Sequence, residues 1–494
     1  MRKMKENACN NKNQKKNPGF LLSAVSSNSG KTAAACGLMS AFKQEGERVC
    51  ACKCGPDYID PMFHREVLGV DSKNLDLFFS EEDILKEGYL KHTKDADITI
   101  TEGVMGFYDG MSLDSVKGSS YDVAQTLGLP VILVINARGA AMTLAAVVKG
   151  IVEFRPDSNI CGILLNRVSA MLYPRLKEML ENELVRIGHD EIKIVGYMPE
   201  NEAFHLESRH LGLVTPQEME NLQEKVRQAG EILAKTVDLE LLEQIAGEAA
   251  VWKAEVSEES EKIGSLKSLN YPVRIAVARD EAFCFYYKDN LELLESLGCE
   301  LIEFSPLHDK KLPENVKGIL LGGGYPELYG KELAENQSML ESIRRALDDK
   351  IPCLAECGGF MYLHEEMEDT AGNVWKLVGR IKGKTFPTGK LVRFGYVNLQ
   401  RNLDEDQISE LKERMSLADS WILPGENIRA HEFHYWDSTD SGNNCLAVKP
   451  DGKRRWECMH LEENLVAGYP HLYYPSCKEF AERFVEKCRS GYRE

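Results

Sequence analysis

Cys357 lies in a segment whose residue types suit nucleophilic catalysis. The apolar run Ile351–Leu354 predicts a strand, and Gly358 and Gly359 follow the cysteine where a sharp turn into a helix is expected. A helix N-terminus stabilises a thiolate through the helix dipole. The backbone amide of Gly358 can donate to an oxyanion. The spacing therefore predicts a nucleophile elbow with Cys357 in the place usually taken by serine.

A thiol nucleophile needs a base, and the candidates are histidines in the last part of the chain. His431, His434 and His471 all lie in aromatic-rich segments, and the sequence alone does not show which of them reaches Cys357. A second glycine loop, Gly322–Gly324, follows another predicted strand, and its amides are candidates to complete an oxyanion hole. A buried inert thiol is the alternative, but such a cysteine does not require two glycines after it.

A phosphate loop is predicted near the start of the chain. The apolar run Phe20–Val25 is followed by a polar loop ending in Ser29, Gly30, Lys31 and Thr32, and then by a helical pattern. Such a loop needs inward-facing amides, a lysine for the terminal phosphates and a hydroxyl for Mg²⁺. The full motif places glycine at position 25, where this chain has Val25, so a chance Gly-Lys-Thr at a helix start is the alternative.

Acidic residues at two other places are candidates for metal or substrate binding. Glu102 ends a predicted strand, the usual position for a Mg²⁺ partner of a phosphate loop, although a solvated loop acid is the alternative. Asp57 and Asp60 lie in a Gly-Pro and Asp-Pro turn segment with Tyr58. They are predicted to bind Mg²⁺ or to orient an acidic substrate, unless they only hydrogen-bond turn amides.

The chain organisation suits two α/β domains. The 494 residues contain two series of short apolar runs that alternate with helical segments, which is typical of mostly parallel sheets. We expect a disordered basic tail over 1–17, a first domain over 18–250, an acidic linker over 251–271 and a second domain over 272–490.

Composition excludes several classes of function. The 60 Lys and Arg against 78 Asp and Glu give a net charge of −18, which argues against a sequence-independent nucleic-acid binder. No apolar run approaches the length of a membrane span, and the N-terminus lacks the apolar core of a signal peptide. The 14 Cys are scattered, often in apolar runs, which favours reduced thiols in a cytoplasmic protein.

Several segments together resemble the cobyrinic acid a,c-diamide synthase family. They follow the family order from about residue 19 to about residue 485, and the longest are Lys53–Pro61, Glu102–Gly110, Ser208–Leu213, Ala278–Tyr287, Gly322–Glu327, Ala355–Tyr362 and His431–Tyr435. The resemblance implies a P-loop ATPase domain like dethiobiotin synthetase, followed by a class I-type glutamine amidotransferase domain. It also implies amidation of the a- and c-side-chain carboxylates of a corrinoid through an acyl phosphate, with glutamine, ATP and Mg²⁺. A homodimer is a further expectation.

The resemblance also implies roles for individual residues. Cys357 matches the glutaminase nucleophile, and His471 matches the histidine that activates it, with His434 as the runner-up base. Tyr473 stands where the family has a second histidine and where many related amidotransferases have a glutamate, so the group that orients His471 is not identified. Residues of the first domain match the ATP loop and the acids near metal and substrate: Gly30, Lys31, Thr32, Asp57, Asp60, Glu102 and Asp109.

Three alternative functions stay open or are disfavoured. Nickel-sirohydrochlorin is an alternative substrate with equivalent a and c carboxylates, and no motif excludes it. A cobyric acid synthase-like enzyme is disfavoured by the Gly55–Pro61 loop and the Glu102–Gly110 segment. A nucleotide-switch ATPase without ligase activity is disfavoured because a switch needs no nucleophile such as Cys357.

Overall fold

The computed structural model describes residues 17–206, 216–250, 272–403 and 420–490. The chain divides into two units, Met1–Glu255 and Val256–Glu494, and the division falls within the predicted linker. That linker, residues 1–16 of the predicted tail and the family-like segment Ser208–Leu213 lie outside the described residues.

The first unit is built on a seven-stranded sheet in which every neighbouring pair is parallel. The strand order is β3-β2-β4-β1-β5-β6-β7. Buried apolar runs form the central strands, as expected for a sheet covered on both faces. The strands are β1 Gly19–Ala24, β2 Val49–Cys54, β3 Ser72–Leu75, β4 Ile98–Glu102, β5 Val131–Asn136, β6 Ile160–Asn166 and β7 Lys193–Met198.

Helices connect and cover these strands. The first of them begins at Lys31, directly after the loop that leaves β1, so the predicted strand–loop–helix unit is confirmed. The helices of this unit are α1 Lys31–Gln44, α2 Ile59–Glu66, α3 Glu82–Thr93, α4 Ser120–Leu127, α5 Met142–Phe154, α6 Tyr173–Ile187, α7 Pro216–Thr236 and α8 Leu239–Ala246, with a 3₁₀ turn at Glu202–Phe204.

The second unit has a six-stranded main sheet of order β10-β8-β11-β13-β23-β22, where only the edge strand β22 runs antiparallel to its neighbour. Next to it are a five-stranded antiparallel sheet β21-β20-β17-β18-β24, the four-stranded sheet β15-β14-β16-β19 and the pair β12-β9. The strands are β8 Val273–Ala278, β9 Phe283–Phe285, β10 Cys299–Phe304, β11 Gly318–Leu321, β12 Gly323–Gly324, β13 Cys353–Glu356, β14 His364–Glu368, β15 Val374–Lys376, β16 Ile381–Pro387, β17 Arg393–Arg401, β18 Ile428–His434, β19 Trp436–Ser438, β20 Cys445–Val448, β21 Arg455–Cys458, β22 His460–Leu461, β23 Leu465–Gly468 and β24 His471–Leu472.

Within the described residues of this unit, five helices pack around these sheets, and two apolar clusters fill the space between the layers. The carboxyl ends of β11, β13 and β23 are neighbours, so the loops that leave them meet at one edge. The helices are α9 Lys288–Ser296, α10 Gly330–Glu335, α11 Gln337–Asp348, α12 Gly358–Tyr362 and α13 Lys478–Ser490, with 3₁₀ turns at Pro326–Leu328 and Tyr474–Cys477.

Two general expectations can be compared with this fold. Across the described ranges, none of the helices has both the length and the apolar character needed to cross a bilayer. The cysteines within the same ranges are all free thiols, as the scattered spacing predicted.

Candidate functional site

The phosphate loop is shaped by a glycine and an asparagine. Gly30 has φ of 95°, and a Cβ at this position would collide with the Asn166 side-chain amide. Asn166, at the end of β6, donates from Nδ2 to the carbonyl of Ser29 at 2.8 Å, and the Ser29 hydroxyl donates to the carbonyl of Ser26 at 2.8 Å. Since α1 begins at Lys31, its first amides lie where an anion binds to a helix N-terminus.

Lys31 is buried at this loop rather than extended into solvent. Its Nζ donates to the carbonyl of Met105, and it lies 3.4 Å from the carbonyl of Ser26. Burial lowers the pKa of Lys31, and the positive charge of Lys53 lowers it further. The negative charges of Glu102, Asp109 and Asp60 oppose these effects in part, and a nearby phosphate would oppose them further.

Thr32 and Glu102 come together through the strand order. Strands β1 and β4 are neighbours with Leu22 opposite Glu102, and the Thr32 hydroxyl donates to Glu102 Oε1 at 2.6 Å. Hydroxyl and carboxylate oxygens are the donors that Mg²⁺ prefers. The structure therefore brings together two of the three predicted metal ligands in a chemically suitable pair.

Asp60, the third predicted ligand, belongs to a buried charge cluster whose centre is Lys53. Lys53 Nζ lies 2.5 Å from Asp60 Oδ2 and 3.0 Å from Glu102 Oε1, and His64 Nε2 lies 3.6 Å from Glu102 Oε2. The side-chain atoms that contact this ammonium are carboxylate oxygens, which are also suitable ligands for Mg²⁺. Thr32 and Glu102 are thus a pair that suits the ion, whereas the Asp60 carboxylate contacts Lys53 and its role as a ligand stays a prediction.

The charges in this cluster depend on one another. Burial alone would raise the pKa of Glu102, but Lys53, His64 and the Thr32 hydroxyl lower it to about 2. Burial and the nearby charge of Glu102 raise the pKa of Asp60. Burial opposes the charge on Lys53, yet the two acids raise the pKa of its ammonium well above the usual value. Glu102 is therefore a permanent carboxylate at neutral pH.

The predicted substrate residues lie in loops that they also shape. Asp57 Oδ1 accepts a hydrogen bond from the Ile59 amide at 3.0 Å, and Asp109 Oδ2 accepts one from the Gly106 amide at 2.8 Å. Tyr58 directly precedes α2 and is half-buried. These contacts agree with the turn-forming interpretation, and the substrate role of the three residues stays a prediction.

Cys357 has the backbone of a nucleophile elbow. Its φ of 48° and ψ of −102° are strained for a residue with a side chain, and it stands between β13 and α12. Position 359 of this turn requires glycine, because a Cβ on Gly359 would collide with the Leu321 carbonyl. The amide of Gly359 donates to the Gly322 carbonyl at 2.9 Å, which ties the elbow to the glycine loop.

The surroundings of Cys357 favour the neutral thiol and not the stabilised thiolate that the sequence predicts. Burial raises the pKa of Cys357 far above the usual value, and the negative charges of Glu327 and Glu432 raise it further. The hydrogen bond from the Gly358 amide opposes this effect but does not overcome it. Helix α12 has only five residues, so its dipole is small compared with the cost of burying a thiolate. Cys357 therefore needs a base.

His471 lies against the same glycine loop as the elbow. A Cβ on Gly323 would collide with the His471 ring, and a Cβ on Gly358 would come within 3.1 Å of the Gly324 amide nitrogen. Burial, together with the neighbouring His431 and His434, lowers the pKa of His471 to about 3. The imidazole is thus neutral at physiological pH.

The other candidate bases have different surroundings. The ring of His434 stacks on Tyr469 at 3.9 Å, its Nδ1 lies 2.6 Å from the Trp436 carbonyl, and its Nε2 lies 3.4 Å from Glu432 Oε2. Both nitrogens of His434 therefore face acceptors. His431 is the cross-strand partner of His471, and burial lowers its pKa to about 4. The Tyr473 hydroxyl donates to Asp289 at 2.9 Å.

Sequence reasoning assigned no role to two residues of the phosphate site. Lys53 is a charged residue inside the otherwise apolar strand β2, and Asn166 ends the apolar strand β6. A polar residue in or at the end of a buried strand was the available signal. Lys53 contacts Asp60 of α2 and Glu102 of β4, and Asn166 contacts Ser29 in the loop after β1, so their partners lie in other elements that the sequence alone does not bring together.

Comparison with known families defines the class of protein. Residues 21–214 match the CobQ/CobB/MinD/ParA nucleotide binding domain, and residues 274–477 match the CobB/CobQ-like glutamine amidotransferase domain. The phosphate loop falls in the first match and the elbow in the second. The protein therefore combines a nucleotide-binding domain with a glutamine amidotransferase domain, which confirms the predicted fold class.

Comparison with whole proteins defines the family. Proteins named cobyrinate a,c-diamide synthase are similar over nearly the full length. The one from Caldanaerobacter subterraneus subsp. tengcongensis is 36% identical and the match covers 96% of this chain and 99% of that protein. The one from Fusobacterium nucleatum is 39% identical, and the match covers 94% of this chain and 99% of that protein. The one from Priestia megaterium is 35% identical, and the match covers 97% of this chain and 98% of that protein. The chain belongs to the cobyrinate a,c-diamide synthase family, which confirms the resemblance.

Proposed function

We propose that this chain is a glutamine-dependent ligase that amidates the a- and c-side-chain carboxylates of cobyrinic acid in cobalamin biosynthesis. ATP and glutamine are the co-substrates that its two domains suit. The observation that carries the choice of substrate is the identity of 35–39% to proteins of that name over nearly the whole chain. The phosphate loop and the thiol elbow support the chemistry of the reaction. They do not identify a corrinoid as the substrate.

In the first half-reaction, ATP activates the carboxylate. A carboxylate oxygen attacks the γ-phosphoryl group, ADP leaves and an acyl phosphate forms, from which phosphate later departs readily. Lys31 and the first amides of α1 hold the phosphates, and Thr32 and Glu102, together with Asp60, hold Mg²⁺. When bound, the metal neutralises negative charge on the phosphates. Asp57, Tyr58 and Asp109 are proposed to contact the carboxylate substrate.

In the second half-reaction, Cys357 releases ammonia from glutamine. Neutral His471 takes the thiol proton while sulfur attacks the side-chain amide, and the Gly358 amide donates to the oxyanion. The imidazolium then protonates the departing nitrogen, which leaves as ammonia. Water hydrolyses the thioester to glutamate and restores the thiol. Ammonia attacks the acyl phosphate, phosphate leaves and the amide product loses one proton.

A turnover assay tests this function. Purified protein receives glutamine and MgATP with either cobyrinic acid or nickel-sirohydrochlorin, and products are measured by mass spectrometry. The proposal predicts two amides on cobyrinic acid with one ATP consumed per amide. Amidation of the nickel compound alone would keep the mechanism and assign another substrate. Glutaminase activity with no amidation of either compound would contradict the choice of a tetrapyrrole carboxylate.

A further inference from the structure

The segment that carries His471 is held from one side by an asparagine. Asn290 of α9 donates from Nδ2 to the Leu472 carbonyl at 2.7 Å and accepts from the Tyr474 amide at 2.8 Å. Strand β24 also pairs with β18, where His471 is opposite His431. These contacts fix the segment within the second unit but do not connect it to the nucleophile.

Glu356 makes that connection. It is the last residue of β13, directly before Cys357, and its side chain is buried. Its Oε1 accepts a hydrogen bond from the Tyr474 hydroxyl at 2.9 Å, and its carboxyl group also accepts one from the Leu472 backbone amide. One side chain beside the thiol therefore contacts both Leu472, directly after His471, and Tyr474, two residues beyond Leu472.

We propose that Glu356 is a positioning residue for the glutaminase reaction, whose carboxyl group fixes the imidazole of His471 relative to the thiol of Cys357. The inference rests on the proposed roles of those two residues. A buried polar group that spans two segments restricts their relative movement only while its hydrogen bonds are intact. Glu356 acts on the histidine segment through the Tyr474 hydroxyl and the Leu472 amide.

The protonation state of Glu356 determines which variant preserves its role. Burial raises the pKa of Glu356 to about 8, although the bonds from Tyr474 and Leu472 lower it in part. The group is therefore largely neutral at pH 7. A glutamine of the same shape keeps a carbonyl acceptor, whereas an alanine removes it.

The experiment compares E356A, E356Q and Y474F in the full chain. Glutamine hydrolysis is measured as kcat and KM, with kcat expressed per Cys357 thiol that can be titrated with a glutamine-analogue alkylating agent. A displacement of the base by about 1 Å can cost about 100-fold. We expect E356A to lower kcat about 30- to 100-fold with KM changed less than about threefold. E356Q should recover kcat to within about threefold of wild type, and Y474F should lower it about 3- to 10-fold.

Controls separate this inference from the proposed function. Amidation with ammonium salts should be unchanged in all three variants, and E335A, which removes an exposed glutamate of α10, should retain full glutaminase activity. Wild-type protein without glutaminase activity would overturn the proposed function itself. Equal kcat per titratable thiol in Y474F and wild type, or failure of E356Q to exceed E356A, would overturn the positioning role. These two variants keep the size of the side chain, so the test does not depend on whether E356A folds.

Discussion

Lys31 and Thr32 are the two side chains at the start of α1 that the phosphate site uses directly. Thr32 bonds Glu102 at 2.6 Å, and Lys31 is buried with its pKa lowered by its surroundings. Removing either group should affect the activation of the carboxylate and not the release of ammonia, because the thiol chemistry uses other residues.

Substitution of Lys31 by alanine tests this division. We expect Lys31→Ala to reduce amidation at least about 100-fold with either glutamine or ammonium as nitrogen donor, because charge stabilisation at the γ-phosphoryl group is lost. Glutamine hydrolysis without ATP should stay within about threefold of wild type. Lys177→Ala on the exposed face of α6 is the matched control and should change neither rate. Loss of glutaminase activity in Lys31→Ala alone would contradict the division.

Glu356 also makes a prediction about stability. The pKa of Glu356 is about 8 in the folded protein and near the ordinary value of 4.5 in the unfolded chain. The native state therefore binds the proton more tightly, and this residue's contribution to the free energy of unfolding falls as pH rises from about 4.5 to about 8. The fall is at most about 1.4 kcal/mol per pH unit. Glu356→Gln should lose less stability than wild type between pH 6 and 8 in chemical denaturation, and parallel curves would refute the assignment.

At the scale of elements, the sites are made by loops at the carboxyl ends of parallel strands. The loop after β1 lies beside the end of β4, and the elbow after β13 lies beside the loop after β11. Glycines at these loops leave room for a neighbouring side chain: Gly30 for Asn166, and Gly323 for the ring of His471. A methyl group at either glycine should therefore impair one site and leave the other intact.

Gly323→Ala and Gly30→Ala form a matched pair of tests. Gly323→Ala should lower glutamine hydrolysis about 100-fold by moving His471, and leave ammonium-dependent amidation unchanged. Gly30→Ala should lower amidation from both donors by a similar factor, about 100-fold, and spare glutamine hydrolysis. Gly150→Ala in α5, where a Cβ meets nothing within 4 Å, is the control. If each variant lost both activities equally, the two-site account would fail.

The elements were predictable where the sequence is apolar and punctuated by turns. Strands Val273–Ala278 and Gly318–Leu321 are examples of the short apolar runs from which the sequence predicts strands, and both are largely buried. Strand Ser72–Leu75 was missed because its sequence Ser-Lys-Asn-Leu is mostly polar, although its position beside β2 buries three of its four residues. The contacts of Lys53 with Glu102, of Asn166 with Ser29 and of Glu356 with Tyr474 could not be predicted because these partners are distant in sequence.

At the scale of the whole molecule, the chain must supply ammonia to an acyl phosphate. Ammonia released into neutral water is mostly ammonium, which has no lone pair for the attack. The proposed chemistry therefore predicts that ammonia from glutamine reaches the acyl phosphate before it equilibrates with the solvent. This transfer would follow an enclosed route.

Isotope competition measures that transfer. With unlabelled glutamine and an equal concentration of ¹⁵N-ammonium at pH 7, we expect the amides to be almost entirely unlabelled, because only about 1% of ammonium is deprotonated at a pH more than two units below its pKa. Inactivation of glutaminase by alkylation of Cys357 should make the product fully labelled. A labelled fraction that rises in proportion to released unlabelled ammonia in solution would show free diffusion instead.

The most direct test of the account is the nitrogen-donor dependence of Cys357→Ala. Glutamine-dependent amidation should fall at least about 1,000-fold, because the nucleophile is removed. Amidation with ammonium salts should stay within about twofold of wild type, because the phosphate site is intact. Cys353→Ala removes a buried thiol at the start of β13, four residues before Cys357, and is the control that should retain both activities. If Cys357→Ala lost both activities, or kept glutamine-dependent amidation, the account of two cooperating sites would be contradicted.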